Sequence, residues 1–263
     1  MNRARKRFGQ HFLHDPGVIE RIARALDARA QDHLLEIGPG RGALTRVLLA
    51  GDYASFDAVE IDRDLAHDLG PMMARARAAT LHVGDALDFD FAGLARARGG
   101  RLRVIGNLPY NISTPLLFRL IAVAPAMVDL HVMLQREVVA RMAAAPGTGD
   151  YGRLTVMLAP WVSVEHLFDI GPGAFKPPPR VWSAVARLTV REQPAFAVAP
   201  RFAQVVTAAF SQRRKTLRNA LRGLLEAPDI EACGVDPQAR AETLAPEVLN
   251  RLAMRLGPLA RPA

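Results

Sequence analysis

The sequence predicts an α/β fold followed by a small all-α domain, and three observations support this division. Short apolar runs alternate with amphipathic helical patterns over residues 15–190, which is typical of a mostly parallel sheet with helices on both faces. The first strand-like run leads into a glycine-rich turn, LLEIGPGRGALT. Beyond Gln193-Pro194 only helical patterns remain. We therefore expect a boundary at about residue 195, with an α/β domain over 1–195 and a helical domain over 196–263.

Hydrophobic periodicity predicts the individual elements. Asp15-Pro16 is typical of a helix start, because Asp caps the first turn and Pro fits its first position. The predicted strands are 34–38, 58–61, 81–83, 102–105 and 130–134, with two longer β-rich runs at 154–168 and 183–190. The predicted helices are 16–26, 43–49, 63–77 with a break near Gly70-Pro71, 113–123, 137–144, 202–210, 216–225 and 246–256.

Composition restricts the class of protein. Half of the 263 residues are hydrophobic, but no apolar run approaches 18 residues, so no membrane-spanning helix is expected. The basic N-terminus, MNRARKRFGQHFL, lacks the apolar stretch of a signal peptide. The single cysteine, Cys233, excludes an internal disulfide, and the scattered histidines form no metal-ligand cluster. We expect a cytoplasmic, metal-free protein that does not contact a membrane.

The positive charge is concentrated at the two ends of the chain. The net charge is +8; residues 1–30 carry seven Lys/Arg and three Asp/Glu, residues 201–263 carry ten and six, and residues 31–200 carry seventeen of each. An arginine-rich proteome would also raise the isoelectric point, since the chain has 31 Arg and 3 Lys, but it would not leave the middle neutral. The distribution favours a polyanionic partner, most simply a nucleic acid.

The glycine-rich turn indicates a nucleotide-like ligand. Gly38, Gly40 and Gly42 follow a strand and precede a helix, where glycine lets the backbone turn and approach a ligand. Glu60 ends the next strand, 20 residues after Gly40, where a carboxylate binds ribose hydroxyls. An ordinary solvated charge is the alternative for Glu60. A ribose carboxylate fits both NAD and S-adenosylmethionine.

Three features favour S-adenosylmethionine over NAD. Glu36 precedes the turn, where a carboxylate can face a sulfonium or amino group but would repel a pyrophosphate. The glycines run GxGxG and lack the third glycine of GxGxxG. Asp85 ends the third strand, where it can accept from an adenine amino group, although a helix cap is the alternative. All three carboxylates end strands of one predicted sheet, at the edge where such folds bind ligands.

The stretch VIGNLPYNISTP places an amide, a backbone carbonyl and an aromatic ring at the same edge. An adenine amino group is a poor nucleophile, because its lone pair is delocalised into the ring. The Asn107 side-chain oxygen and the Leu108 carbonyl would accept its two hydrogens and localise that lone pair, while Pro109 restricts the backbone. Tyr110 offers a face on which the base can stack. A plain turn followed by a helix cap at Ser113 is the alternative.

The motif NLPYNIS resembles the signature of the ribosomal RNA adenine N6-dimethyltransferases of the small-subunit type. RFGQHFL, EIGPGRGALT, AFKPPPRVWSAV and FSQRRKTLRNAL resemble further segments of that family, so the similarity covers nearly the whole chain. The resemblance implies a Rossmann-like, S-adenosylmethionine-dependent methyltransferase. It implies four methyl transfers onto two adjacent adenines in the 3′-terminal hairpin of 16S ribosomal RNA. The cofactor contacts it implies are His11, Leu13, Gly38, Glu60, Asp85 and Asn107. We expect the partner to be this RNA within the assembling small subunit, and the protein to be a monomer.

Two further groups are candidates for RNA contact. Phe175, in the proline-rich stretch GAFKPPPRVWS, could stack on the flipped adenine opposite Tyr110, and a stiff loop is the alternative. The basic stretch QRRKTLRNALR is expected to bind phosphates, unless it is a solvated helix face. Its cations are Arg213, Arg214, Lys215, Arg218 and Arg222. The N-terminal cations Arg3, Arg5, Lys6 and Arg7 form either a second phosphate clamp or a disordered tail. Trp161 and Trp182 are expected in the core.

Other functions compete with this interpretation. A large-subunit adenine methyltransferase of the antibiotic-resistance type shares the Asn-x-Pro-Tyr chemistry, but QRRKTLRNAL and PPPRV favour the small-subunit type. A DNA adenine methyltransferase would need a target-recognition domain beyond about 70 helical residues. A non-catalytic nucleic-acid-binding factor would not need Glu60, Asp85 and an intact NLPY motif. The glycine turn alone also fits a dehydrogenase.

Overall fold

A seven-stranded sheet organises the first part of the chain in the computed structural model, which describes residues 10–212 and 214–257. The strand order is β4-β3-β2-β5-β6-β9-β7; the first five are parallel neighbours, and β9 is antiparallel to β6. A separate antiparallel pair joins β1 to β8. The strands are β1 Phe12–Leu13, β2 His33–Ile37, β3 Ser55–Glu60, β4 Ala79–Val83, β5 Leu102–Asn107, β6 Met127–Gln135, β7 Val162–Ile170, β8 Phe175–Lys176 and β9 Ser183–Val190.

Helices connect the parallel strands and make up the C-terminal part of the described chain. Asp15 caps the first of them, accepting a hydrogen bond from the Val18 amide at 2.9 Å, as the sequence predicts. The helices are α1 Pro16–Leu26, α2 Ala43–Leu48, α3 Arg63–Arg75, α4 Phe91–Arg98, α5 Ser113–Ile121, α6 Arg136–Met142, α7 Arg153–Leu158, α8 Phe202–Ala209, α9 Leu217–Ala220, α10 Ala227–Ala232 and α11 Pro246–Arg255. None of the helices in the described ranges is long and apolar enough to cross a membrane.

The described residues divide into two compact units. The first contains the residues up to Val139 together with Val164–Val190, and the second contains Ala140–Ser163 together with the residues from Arg191 onward. The chain passes from the first unit to the second for the last time after Val190, close to the predicted boundary at about residue 195. The structure differs from the prediction in that residues 140–163 also belong to the second, mainly helical unit. Tyr151 explains this, because its buried ring lies in the core of that unit and its hydroxyl donates to the Leu244 carbonyl at 2.7 Å.

Three predicted elements differ in the structure. Helix α3 continues through Pro71 because its buried face, which includes Leu65, Leu69 and Met73, outweighs the hydrogen bond that proline removes. Residues 154–158 form helix α7 rather than a strand, since Val156 and Leu158 are buried as part of a helix. The predicted helix at 216–225 is reduced to α9 and the turns that follow it. Short runs of apolar residues do not by themselves distinguish a helix from a strand.

The first unit packs its central strands as a continuous apolar core. Leu34 and Leu35 on β2 and Val104 on β5 are fully buried, which is typical of strands covered on both faces. Phe56 on β3 and Leu26 on α1 belong to one buried cluster with Leu34. This core fixes the positions of the strand ends from which the acidic and amide side chains project.

A network of largely buried ion pairs joins several elements of the first unit. The Arg103 guanidinium donates to Asp129 Oδ2 at 2.7 Å, to Asp32 Oδ2 at 2.8 Å and to the Leu26 carbonyl at 2.6 Å. The three charged side chains are mostly shielded from solvent. Arg103 therefore links β5, β6, the end of α1 and the turn before β2.

We expect Arg103→Ala to lower the free energy of unfolding by about 3–5 kcal/mol, because it leaves two largely buried carboxylates without their cation. Arg96→Ala is the matched control: Arg96 pairs with Asp90 at 3.7 Å, and both side chains are 74% exposed, so a loss below about 1 kcal/mol is expected. Urea denaturation followed by circular dichroism measures both. Equal losses in the two variants would contradict a structural role for the Arg103 network.

Candidate active site

A cavity of about 310 Å³ opens at the carboxyl ends of β2, β3 and β5, within the first unit. Its walls come from these strands, from the residues that follow β4, from the loop after β5 and from the β1 segment. The volume lies in the range of small-molecule sites, and the position is where parallel sheets with crossover helices bind ligands.

The glycine-rich turn forms one wall in a backbone conformation that requires glycine. Gly38, Gly40 and Gly42 have φ values of +68°, +58° and +75°. A Cβ on Gly42 would lie 2.6 Å from Leu69 Cδ2, and one on Gly40 would lie 3.1 Å from Phe12 Cδ1. The turn can therefore pack against both α3 and β1 only because it carries no side chains there.

Glu60 is held at the end of β3 by backbone amides. Its Oε2 accepts from the Gly40 amide at 3.0 Å, and its Oε1 accepts from the Asp62 amide at 2.9 Å. Burial raises the pKa of Glu60, while these hydrogen bonds act in the opposite direction. The contact with Gly40 places the carboxylate directly beside the glycine turn, as the spacing in the sequence predicts.

Glu36 lines the cavity, and none of its hydrogen bonds or ion pairs within the described residues is with a basic side chain. The residue is 2% exposed, and Thr45 Oγ1 donates to its Oε2 at 2.7 Å. Burial, together with the nearby charge of Glu60, raises the pKa of Glu36 to about 7, while the hydrogen bond from Thr45 acts in the opposite direction. A carboxyl group in this state gains a charge when a cationic ligand arrives, so it is suited to a sulfonium or ammonium group.

Asp85 lines the opposite wall, after β4. Its Oδ1 accepts from the Leu87 amide at 2.9 Å, which fixes the local turn. Asp85 caps no helix, since the next helix, α4, is capped by Asp90, but it lies in the cavity wall, where its carboxylate can accept from a ligand amino group.

The side chain of Asn107 has a defined orientation at the end of β5. Its Nδ2 donates to the His11 carbonyl at 2.9 Å. Since a carbonyl can only accept, the amide nitrogen must face His11, and no hydrogen bond among the described residues reaches the amide oxygen, which is left as an acceptor. The amide of Leu108 donates to the Met133 carbonyl at 3.2 Å, and no hydrogen bond within the described residues reaches the Leu108 carbonyl. Asn107, Leu108 and Pro109 all line the cavity.

Tyr110 is held by contacts with two distant segments. Its hydroxyl hydrogen-bonds Ser183 Oγ at 2.6 Å, and its ring stacks on His11 with centroids 5.8 Å apart. Burial raises the pKa of Tyr110, so the phenol stays neutral at ordinary pH. His11 Nδ1 donates to the Pro177 carbonyl at 2.8 Å. Sequence reasoning did not single out Ser183, although it lies within the quoted AFKPPPRVWSAV motif.

The structure does not bring Phe175 into the site. Phe175 pairs with Leu13 across the β1–β8 ladder and is 2% exposed, within the hydrophobic core of the first unit. His11 and Leu13 line the cavity, but Phe175 does not. In this structure burial of the ring stabilises the core, and the stacking of Phe175 on an adenine stays a prediction.

The basic cluster predicted in the C-terminal part lies on the surface of the second unit. Its described members, Arg214, Lys215, Arg218 and Arg222, are all exposed near α9. Arg213 and the N-terminal cations Arg3, Arg5, Lys6 and Arg7 lie outside the described residues. Over 10–212 and 214–257, no group of His, Cys, Asp or Glu has the arrangement of a metal site.

Comparison with known proteins shows the family. The model of the ribosomal RNA adenine dimethylase family matches residues 1–256. The chain belongs to this family. It is 55% identical to ribosomal RNA small subunit methyltransferase A of Pseudomonas aeruginosa over 260 residues, which is 98% of this chain and 96% of that protein. The protein of the same name from Nitrosococcus oceani is 53% identical over 251 residues, or 94% of this chain and 93% of the relative.

Solved structures agree with the fold. A dimethyladenosine transferase from Plasmodium falciparum has a TM-score of 0.79 at 24% identity, covering 92% of this chain and 96% of that one. The 23S rRNA methyltransferase ErmE has a TM-score of 0.70 at 29% identity, covering 93% and 99%. The predicted α/β fold class and the family resemblance are both confirmed, and the protein is an rRNA adenine methyltransferase whose methyl donor is S-adenosylmethionine.

The cavity walls suit this cofactor. Glu36, Glu60 and Asp85 supply acceptors for a cationic amino acid group, for ribose hydroxyls and for an adenine amino group, and all three line the cavity. The acidic wall would repel a pyrophosphate, so the site does not suit NAD. We assign His11, Leu13, Gly38, Gly40 and these three acids to cofactor binding as a proposal, together with Asn107.

We expect binding of S-adenosylmethionine to strengthen as pH rises towards 7 and then to level off. Below a pKa of about 7 Glu36 is protonated, and the cationic ligand must displace that proton, which weakens binding by up to about tenfold per pH unit. Calorimetry from pH 5.5 to 8 measures the affinity and the proton released. In Glu36→Gln the slope should largely disappear and binding at pH 8 should weaken. A variant that keeps the wild-type slope would remove Glu36 from the cofactor site.

Proposed function

We propose that this enzyme transfers methyl groups from S-adenosylmethionine to the exocyclic N6 of two adjacent adenines in the 3′-terminal hairpin of 16S rRNA. The product is N6,N6-dimethyladenosine, made during assembly of the small ribosomal subunit. The observation that carries the chemistry is the oriented amide of Asn107 beside Tyr110, at the mouth of an acidic cofactor cavity. The substrate follows from relatives named small subunit methyltransferase A, at 55% identity over nearly the whole chain.

Asn107 and Leu108 make the target amine reactive by accepting its hydrogens. The free oxygen of the amide and the Leu108 carbonyl are two acceptors on consecutive residues. Two such hydrogen bonds favour a tetrahedral amine whose lone pair is localised. S-adenosylmethionine, when bound, supplies an electrophilic methyl group. The amine becomes acidic only after it has been methylated, so catalysis is mainly positioning and polarisation, without a general base.

Tyr110 would position the target base. An adenine inside a helix cannot reach the cavity, so the base must be flipped or already unpaired. The ring of Tyr110 is fixed by Ser183 at its hydroxyl and by His11 at its face, which lowers the entropic cost of presenting it to a base. Stacking on such a ring is worth about 1–3 kcal/mol.

A large-subunit methyltransferase is the second candidate. ErmE, which acts on 23S rRNA according to its name, shares the fold with a TM-score of 0.70 at 29% identity. The relatives named for the small subunit are much more similar, at 52–55% identity. We also propose that the enzyme acts on the assembling small subunit and that it does so as a monomer.

The substrate is identified by finding which nucleic acid receives a labelled methyl group. The enzyme is incubated with S-adenosylmethionine labelled in its methyl group and with unmethylated small subunits, unmethylated large subunits or duplex DNA. We expect label only in the small subunits, in dimethyladenosine near the 3′ end of the RNA. Label in the large-subunit RNA would favour the second candidate, and label in DNA would overturn both.

Asn107→Ala should slow methyl transfer by at least roughly 10²-fold, because one oriented hydrogen bond in the transition state is lost. Affinity for S-adenosylmethionine should change much less. Single-turnover kinetics measure the first quantity and calorimetry the second. A folded variant with turnover within a few fold of the wild type would contradict the role of the amide.

The exposed cations near α9 should contribute to RNA affinity rather than to chemistry. Replacing Arg214, Lys215 and Arg218 by Gln removes up to three phosphate contacts, so the slope of log K against log salt should become shallower by up to about 2–3 units. Turnover at saturating substrate should fall far less. The matched control replaces Arg75, Arg77 and Arg96, which are exposed outside both basic ends. An equal change of slope in the two triple variants would show a general charge effect instead of a binding surface.

A further inference from the structure

Trp182 is exposed, although the sequence predicts that it is buried. Half of its surface, 50%, is accessible, and the preceding Val181 is 43% exposed. No other phenylalanine, tyrosine or tryptophan side chain in the described part of the chain is exposed. Exposure of a tryptophan costs hydrophobic free energy, so its presence on the surface calls for a partner that covers it.

The segment that carries Trp182, residues 176–182, is attached to residues of the proposed active site at both ends. At one end the Pro177 carbonyl accepts from His11 Nδ1 at 2.8 Å. At the other end Ser183, the residue next to Trp182, hydrogen-bonds the Tyr110 hydroxyl through its side chain at 2.6 Å. These two contacts hold the backbone of the 176–182 segment next to His11 and Tyr110, the ring on which the target base would stack.

The indole itself is held in place. The Trp182 carbonyl accepts from the Arg136 amide at 2.9 Å, and the Arg136 guanidinium lies 5.9 Å from the ring centroid. The ring packs beside Gly171, where an added Cβ would lie 3.7 Å from Cη2. A ring that is half exposed and already ordered loses little conformational entropy when a flat partner stacks on it.

The charges around the indole are mostly positive. Lys176 and Arg180 are exposed within the 176–182 segment, and the stretch GPGAFKPPPRVWS carries no carboxylate. The side chain of Arg136 is 57% exposed, and its Nη1 lies 3.7 Å from Asp169, which also contacts His166. Arg136 lies against the ring, and Lys176 and Arg180 belong to the segment that carries it. An aromatic ring among cations is the combination that binds single-stranded nucleic acid, by stacking on bases and pairing with phosphates.

We propose that Trp182 stacks on an unpaired nucleobase that neighbours the target adenine, while Arg136 and Arg180 contact the adjoining phosphates. This inference rests on the proposed function, because it assumes an RNA substrate at Tyr110. The small apolar area, Val181 and Trp182 among cations, suits a nucleotide better than a protein surface. Trp182 would contribute to substrate affinity without touching the reacting amine.

Steady-state kinetics on unmethylated small subunits provide the first test. Trp182→Leu keeps an apolar side chain but removes the ring, and KM for the subunits should rise about tenfold with kcat and cofactor affinity unchanged. Trp182→Phe should restore most of the affinity. Trp161→Phe is the matched control and should resemble the wild type. A KM for Trp182→Leu within twofold of the wild type, or equal losses for Leu and Phe, would overturn the proposal.

Tryptophan fluorescence tests the stacking itself. The chain has two tryptophans, so Trp161→Phe leaves Trp182 alone and Trp182→Phe leaves Trp161 alone. A single-stranded RNA with the sequence of the 3′-terminal loop is added, and polarisation of a labelled copy establishes saturation. Emission of Trp182 should be quenched and that of Trp161 should not. Saturated binding without quenching of Trp182 would overturn the inference. Failure of the wild type to methylate small subunits would instead overturn the proposed function.

Discussion

The hydrogen bond from Asn107 Nδ2 to the His11 carbonyl is the constraint on which the rest of the site depends. It determines which atom of the amide faces the cavity, and so whether the site presents an acceptor or a donor. His11 also stacks on Tyr110 and donates to the Pro177 carbonyl. One residue of the N-terminal segment therefore joins the loop after β5 to the 176–182 segment, which are far apart in the sequence.

Buried carboxylates of the first unit fall into two electrostatic classes. Burial raises the pKa of Asp57, but hydrogen bonds from His82 and Arg98 outweigh it and hold the pKa below the usual range. Burial raises the pKa of Glu36 and of Glu60, whose contacts are with a hydroxyl and with backbone amides rather than cations. The pairing of Asp57 with cations stabilises the protein by itself. Glu36 and Glu60, which contact no cation within the described residues, leave negative potential for a positively charged ligand, which is typical of a functional site.

Local sequence was sufficient for features that depend on neighbouring residues. The alternation of strands and helices predicted that β2 to β6 are parallel, because such strands need crossover connections. The ends of those strands then had to share one edge, so Glu36, Glu60, Asp85 and Asn107 could be assigned to one site before any coordinates were known. Positive φ at Gly38 likewise follows from a turn that only glycine can form.

Tertiary structure decided everything that depends on packing between distant segments. In the proline-rich stretch Phe175 is buried in the core and Trp182 is exposed, which is the reverse of what the sequence predicts. A hydrophobic residue in an irregular segment has no periodicity that would indicate whether it faces the core or the solvent. Ser183 became part of the site only through its contact with Tyr110. The sequence by itself determined which chemistry is present and at which sheet edge. Orientation and burial were decided by tertiary contacts, because these depend on the free energy of packing segments that the sequence keeps far apart.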